Sequence, residues 1–271
     1  MEPLQVIPST TSHKREPLLP TLDVFARLGF SDLDLNLHHI IEEHEPLDAV
    51  RAALAANRQR VLVVSGGWCD FFHGQPEVEA TFESVGRQVS IVRSLGASRL
   101  RLFFGRLERE RYSRDRLHVI SENLQRAAAA HPDVLFVFEN HDGASLDPAV
   151  CREVIQAADR PNLRLNFDPI NFEKVGVPAL EAVRMLAPWI GHVHLKGLQS
   201  GDYCEFGEGD VDLRPVLAAL VASGYRGGFT VEYEGRFDGT VRLFRSLRRA
   251  EAAIQSIAAL SGPRAGQTSE R

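Results

Sequence analysis

Short runs rich in β-branched, aromatic and leucine side chains recur along the chain. A longer stretch with helical spacing of apolar residues follows each run. The predicted strands span residues 3–7, 32–37, 60–64, 99–104, 134–138, 163–167, 192–195 and 229–233. The predicted helices span residues 20–28, 46–56, 77–95, 114–130, 148–158, 178–186, 213–223 and 241–260. Eight strand–helix units in succession indicate a parallel sheet, and eight is the number that closes a barrel.

The pattern therefore predicts an α/β protein, a single (β/α)8 TIM barrel over residues 1–260. Residues 261–271 are small and polar and are expected to form a disordered tail. The rival fold is a doubly wound open sheet, which normally carries a glycine-rich loop after its first strand. Residues 8–13 contain no glycine, which favours the barrel.

Composition narrows the classes of partner. The chain has 271 residues, 44% of them hydrophobic and 25% charged, with a formal net charge of -5. Without a basic excess, neither nucleic acid nor an anionic membrane is an expected partner. No apolar run approaches the roughly 20 residues of a membrane span, and the N-terminus lacks a secretory pattern, so a cytoplasmic location is expected. Three widely spaced cysteines indicate neither a disulfide framework nor a zinc site.

The last four predicted strands each end in a residue that can bind a metal. These residues are Glu139, Asp168, His194 and Glu232. The C-terminal ends of barrel strands meet at one rim, where three carboxylates would repel one another without a positive charge between them. One divalent cation would supply that charge. Three carboxylates with one imidazole favour Mn²⁺, Mg²⁺ or Co²⁺, and Zn²⁺ remains open.

Other side chains near the same rim are candidates for substrate binding. They are Asn171, Lys196, His141, Trp68 and Arg106. Each also has a plain structural reading. Lys196 either contacts a substrate oxygen or neutralises Glu232, and Trp68 either covers a sugar face or packs its loop. His192 is predicted to be a buried, hydrogen-bonded histidine, and Glu234 is predicted to pair with Arg236.

Four segments resemble the metal-binding strands of the xylose isomerase-like barrel superfamily, which contains the sugar phosphate isomerases and epimerases. They are FENH at 138–141, NFDPIN at 166–171, GHVHLK at 191–196 and TVEY at 230–233. The resemblance implies one divalent metal that binds a substrate carbonyl and stabilises an enediolate. It implies acid and base roles for Glu139 and Glu232, with Asp168 and His194 mainly as ligands. The chain departs from ketose 3-epimerases at Asn171, where these enzymes tend to carry histidine, which argues against 3-epimerase activity on free ketoses.

The sequence thus predicts an isomerase or epimerase that acts on a sugar, sugar acid or cyclitol ketone. A lyase of the inosose dehydratase type uses the same first half-reaction and is the first alternative. A non-catalytic sugar-binding barrel and an endonuclease IV-like phosphodiesterase are the others. Asn171 and the acidic pI of about 6.1 argue against the endonuclease. The expected partner is a small sugar or polyol, and a homo-oligomer is left open by analogy of fold.

Overall fold

The computed structural model describes residues 4–236 and 239–261. Ten strands occur there: β1 (Val6–Pro8), β2 (Asp32–Asn36), β3 (Arg60–Ser65), β4 (Arg99–Phe103), β5 (Leu135–Glu139), β6 (Leu163–Phe167), β7 (Ile190–Leu195), β8 (Gly197–Gln199), β9 (Asp202–Cys204) and β10 (Phe229–Val231). Eight of them pair in parallel in the order β1-β10-β7-β6-β5-β4-β3-β2. A parallel bridge between Ser9 and Asp34 brings β1 against β2, which nearly closes the barrel.

Helices alternate with the barrel strands. They are α1 (Leu18–Arg27), α2 (His38–Ile41), α3 (Leu47–Ala56), α4 (Val78–Ser94), α5 (Arg114–Ala130), α6 (Pro148–Ala158), α7 (Pro169–Glu173), α8 (Ala179–Leu186), α9 (Arg214–Ala222) and α10 (Gly239–Ser261). Local signals fix several starts. The Asp147 side chain caps α6, and Pro148 occupies its first turn, where a missing N–H costs nothing.

The predicted single TIM barrel is confirmed, with most element bounds within two residues. Strand β10 ends at Val231 instead of residue 233, because the Tyr233 backbone N–H donates to Ser12 Oγ at 2.8 Å and leaves the sheet. The first strand begins at Val6, and residue 3, where it was predicted to start, lies outside the described residues. So does the predicted tail from position 262 onward.

A hairpin not anticipated from the sequence follows β7. Strands β8 and β9 pair antiparallel around Ser200 and Gly201, which both have positive φ, as a tight two-residue turn requires. Gly197 begins the hairpin, and a Cβ there would stand 2.2 Å from the Glu205 carbonyl oxygen. Glycine at this position therefore lets the hairpin fold back closely over the end of β7.

Side-chain alternation along the strands separates the apolar core from the interior of the barrel. On β5, Phe136 and Phe138 belong to the continuous apolar core. Their neighbour Glu139 points to the opposite side of the strand, as the two-residue period of a strand requires. Helices pack on the apolar side, so the polar row is left facing inward. Within the described residues, no helix is both long and apolar enough to cross a membrane.

Candidate metal and substrate site

Two neighbouring strands present facing rows of side chains at the C-terminal rim. His192, His194 and Lys196 alternate along β7 and just past it, and all three are buried. Opposite them stand Thr230, Glu232 and Glu234, along β10 and past its end. The pairs are His192 with Thr230 at 2.7 Å, His194 with Glu232 at 3.5 Å, and Lys196 with Glu234 at 2.9 Å. The hydrogen bond between His192 and Thr230 confirms the prediction of a buried, bonded histidine.

Three of the four predicted ligands converge. Glu139, Asp168 and His194 each offer one ligand atom, and these atoms lie within 4.8 Å of one another. Glu232 is not a member of this group. Its Oε2 lies 3.5 Å from His194 Nδ1, while Glu139 Oε1 lies 3.8 Å from the same nitrogen. The two glutamates thus share one imidazole nitrogen as their neighbour.

Unsatisfied polar atoms fit a cation at this group. Both ring nitrogens of His194 are buried and make no hydrogen bond, and Asp168 Oδ2 has only the Lys196 ammonium beside it, at 2.9 Å. Buried polar atoms without a partner are rare and call for a ligand. A carboxylate and imidazole donor set suits divalent first-row metals, so Glu139, Asp168 and His194 fit such an ion.

Lys196 carries the positive charge nearest to Asp168. Its Nζ lies 2.9 Å from Asp168 Oδ2 and 2.9 Å from Glu234 Oε1, but 3.9 Å from Glu232. The predicted pairing of Glu234 with Arg236 is wrong, because Glu234 points inward to Lys196 and also contacts Lys14 at 3.6 Å. Arg236 lies 3.5 Å from Asp202 instead.

Asp168 is fixed by the start of α7. Its Oδ1 accepts hydrogen bonds from the backbone N–H groups of Ile170 and Asn171, at 2.9 and 3.1 Å. Asn140 forms a two-point clamp with the backbone of Asp168, at 2.8 and 2.9 Å. These contacts satisfy Oδ1 and leave Oδ2 aimed at the centre of the site.

Each glutamate is held by donors from other strands. Glu139 accepts from Asn171 Nδ2 at 3.2 Å, and the Arg101 guanidinium nitrogen Nε lies 3.2 Å from its other oxygen. Glu232 accepts from Ser9 Oγ at 3.4 Å. Asn171 thus supports Glu139 and does not line the pocket described below. Both glutamates are thus held in place by contacts within the protein.

Burial and charge oppose each other at these groups. Burial raises the pKa of Asp168, although the Lys196 ammonium opposes the change. Burial would also raise the pKa of Glu232, but the charges of His194 and Lys196 outweigh it and hold that pKa well below its ordinary value. For Lys196, burial would lower the pKa, yet Asp168 and Glu234 raise it well above the usual range. Glu232 and Lys196 are therefore both charged at neutral pH.

A cavity of about 290 Å³ opens above these groups. Glu139, Glu232, Lys196, His141 and Trp68 all line it. Trp68 stacks on Phe103 with ring centres 4.1 Å apart, and His141 contacts both rings edge-on. The Arg106 guanidinium lies 4.0 Å above the Trp68 ring and outside the lining. The structure therefore brings Lys196, His141 and Trp68 to the cavity, and Arg106 to the outer face of Trp68.

Two buried charged residues were not predicted, because the sequence prediction considered only the residues at the ends of strands. Arg101 lies within β4, lines the cavity and stacks on Phe103 at 4.3 Å. Asp34 lies within β2 and is completely buried, with its Oδ2 3.4 Å from His194 Nε2. The available signal was a charged residue at alternate positions of an otherwise apolar strand, in Arg-Leu-Arg-Leu-Phe and Asp-Leu-Asp-Leu-Asn.

The buried His39 of α2 predicts an acid-sensitive contribution to stability. Burial lowers its pKa, against the opposing Thr10 carbonyl and Glu43 carboxylate. The unfolded histidine takes up a proton near pH 6.5 and the folded one only at lower pH. The contribution is thus complete above pH 6.5 and is lost as the pH falls, by at most about 1.4 kcal/mol per pH unit.

Urea unfolding at neutral and mildly acidic pH measures this loss. As the pH is lowered, the free energy of unfolding is expected to decrease more steeply in the wild type than in His39→Gln. His118→Gln is the control, because His118 is an exposed helix residue. Equal slopes in wild type and His39→Gln would contradict the prediction.

Comparison with known proteins places the chain among barrels of one type. A family model described as xylose isomerase-like TIM barrel matches residues 22–260. A 3-dehydroshikimate dehydratase of Bacillus anthracis is 28% identical over 134 residues, which are 49% of this chain and 43% of that protein. The matched part is therefore less than half of that relative.

Solved structures share the fold at low identity. The structure of an L-ribulose 3-epimerase superposes with a TM-score of 0.79 at 17% identity, covering 98% of this chain and 100% of the other. A structure described as IOLI protein with a binding zinc atom also gives 0.79, at 14% identity, covering 96% and 100%.

Proposed function

The chain belongs to the xylose isomerase-like TIM barrel family, and on that premise we propose that it is a divalent-metal-dependent isomerase or epimerase. Its substrate would be a sugar, sugar acid or cyclitol ketone. The observation that carries the proposal is the pair Glu139 and Glu232. Both line one cavity, and both lie within 3.8 Å of the same nitrogen of His194.

Glu139, Asp168 and His194 would hold the cation, with Glu232 next to them. A bound divalent cation polarises a substrate carbonyl as a Lewis acid, which makes the hydrogen on the neighbouring carbon more acidic. The zinc reported for one structural neighbour supports a metal here. Mn²⁺, Mg²⁺, Co²⁺ and Zn²⁺ all suit the donor set.

The two glutamates would divide the proton transfers. Glu232 is ionised at neutral pH, as a proton acceptor must be, because the charges of His194 and Lys196 hold its pKa well below the ordinary value. Its carboxylate takes the proton from the carbon beside the carbonyl, and the carbon–hydrogen electron pair moves toward the carbonyl oxygen. For the return step Glu139 would take a proton from solvent and deliver it to the opposite face or to the neighbouring carbon, and Glu232 would release the proton that it accepted to solvent. Arg101 would orient Glu139 through its contact with the carboxylate. Trp68 and His141, which line the cavity, would shield the substrate from water.

A dehydratase is the second candidate. The dehydratase relative favours it, and so does His141 in the cavity wall. Burial lowers the pKa of His141, but the Asp142 carboxylate 3.2 Å away and the charge of Glu139 outweigh it and raise that pKa. A protonated imidazole can give its proton to a departing hydroxyl, which then leaves as water. The electron pair left on the carbon when Glu232 removes its proton would form the new double bond.

Solvent-deuterium exchange tests the proposal directly. The protein loaded in turn with Mn²⁺, Co²⁺, Mg²⁺ and Zn²⁺ is incubated in deuterated water with a panel of keto sugars, sugar acids and inososes. Incorporation of deuterium beside the carbonyl of at least one compound is expected, and mass spectrometry detects it. A mass that changes only by the added deuterium supports an isomerase or epimerase, whereas loss of water supports the dehydratase. Absence of both across the panel and all four metals would contradict enzymatic proton transfer.

A further inference from the structure

Asp34 is a buried carboxylate without a role in the chemistry described so far. It lies in the middle of β2, is fully buried and points into the barrel beneath the cavity. Ser65 Oγ donates to its Oδ2 at 3.1 Å, and its Oδ1 has no hydrogen-bond partner. Burying a carboxylate is costly unless nearby groups compensate. Its position therefore calls for an explanation from the group that it faces.

That group is the His194 imidazole, which stands between two sets of carboxylates. Nδ1 faces Glu139 and Glu232 on the cavity side, at 3.8 and 3.5 Å. Nε2 faces Asp34 Oδ2 on the far side, at 3.4 Å. An imidazole that binds a metal is neutral and carries one proton, so only the nitrogen without that proton can be the ligand atom. Whichever nitrogen holds the proton thus decides whether the ring can act as a ligand in the cavity.

We propose that Asp34 is the positioning residue that keeps this proton on Nε2 and so presents the lone pair of Nδ1 to the cation. The inference rests on the proposed metal site. An anionic acceptor behind a ligating histidine fixes the ring orientation and makes the ligand nitrogen more basic. An asparagine at position 34 could turn its N–H toward Nε2, which would move the proton to Nδ1 and block the ligand atom.

The same residues also suggest a rival arrangement. Asp34, His192 and His194 offer ligand atoms within 4.8 Å of one another, as a second cation would need. Both nitrogens of His192 are engaged, however. Nε2 bonds to Thr230 Oγ1 at 2.7 Å, and Nδ1 lies 3.5 Å from the Arg99 guanidinium, whose charge repels a cation. The geometry therefore favours a positioning role for Asp34, and one metal per chain.

Zinc binding to the full chain tests the role of Asp34. Metal-free wild type, Asp34→Asn and Asp32→Asn are titrated with Zn²⁺ alone in a calorimeter. Asp32→Asn is the matched control, since Asp32 lies on the same strand but pairs with Arg60 at 2.7 Å. Asp34→Asn is expected to weaken zinc binding by about 10- to 100-fold. The control is expected to bind zinc as the wild type does.

Nuclear magnetic resonance of the zinc-loaded wild type provides a second readout, which does not depend on the folding of Asp34→Asn. The ring nitrogens of His194 are assigned by their loss in His194→Gln. Zinc coordination through Nδ1 with a slowly exchanging proton on Nε2 is expected. Coordination through Nε2 would overturn the role of Asp34, and so would wild-type affinity in a folded Asp34→Asn. Two zinc ions per chain would favour the rival arrangement. A wild type that binds no zinc would instead remove the proposed metal site itself, and the inference with it.

Discussion

Replacement of Glu232 by glutamine is expected to lower the rate of deuterium exchange beside the substrate carbonyl by about 10²- to 10⁴-fold, the usual contribution of a general base. Glutamine keeps the size of the side chain and can still accept from Ser9, but it cannot take a proton. Glu139→Gln is expected to cause a loss of similar size in product formation. The two variants differ in the step they block, because Glu232→Gln stops removal of the proton and Glu139→Gln stops its return.

The measurement uses whichever compound of the panel exchanges with the wild type, with deuterium incorporation and product followed separately. Glu42→Gln serves as the control, since Glu42 lines the outer part of the same cavity and pairs with His38. Its exchange rate is expected to match that of the wild type. Full exchange in Glu232→Gln would refute its role as the base, and product formation at the wild-type rate in Glu139→Gln would refute its role as the acid.

Loss of the metal is the expected result of Asp168→Asn. Asparagine can keep the acceptor that caps α7, but it removes the charge of the oxygen that faces the cation site. It also sets an amide opposite the Lys196 ammonium, which lay 2.9 Å from the original carboxylate. We expect about one divalent ion per wild-type chain after reconstitution and almost none in the variant, because a ligand has been removed and a positive charge left uncompensated.

Metal content per chain after dialysis, determined by elemental analysis, checks this expectation. Asp147→Asn is a closely matched control. Like Asp168, Asp147 caps a helix immediately before a proline, with its Oδ1 2.9 Å from the Ala149 N–H, but it is not in the group of ligand atoms. Normal metal content in Asp168→Asn would show that the cation binds elsewhere in the protein.

The barrel could be predicted because its signals are local and repeated. Each strand–helix unit can be recognised from its own pattern of apolar residues. The C-terminal ends of the strands meet at one rim in any barrel of this topology. This was enough to bring Glu139, Asp168 and His194 together in advance. The hairpin of β8 and β9 escaped notice because each strand has only three residues, too few for a period to show.

Partners that come from distant strands could not be predicted in the same way. Asp34 precedes His194 by 160 positions, so their contact depends on how β2 and β7 lean across the barrel interior. Arg236 was the nearest cation to Glu234 along the chain, but Lys196 was nearer in space. Proximity in sequence gave the wrong partner for Glu234. Its pairing was decided by the buried charge of Lys196, because a charge in the interior needs an opposite charge next to it.

The facing rows of β7 and β10 make the rim sensitive to a one-residue shift in strand register. Such a shift would break all the facing pairs together, which no single substitution can do. A residue inserted between Phe229 and Thr230 would shift the following chain by one position, and alternation would then turn Thr230, Glu232 and Glu234 to the helix side together. The imidazoles of His192 and His194 on β7, and the Lys196 ammonium just past it, would all lose their counterparts at once. Natural variation in chain length is therefore expected in the loops beyond Glu234, and not within this short stretch.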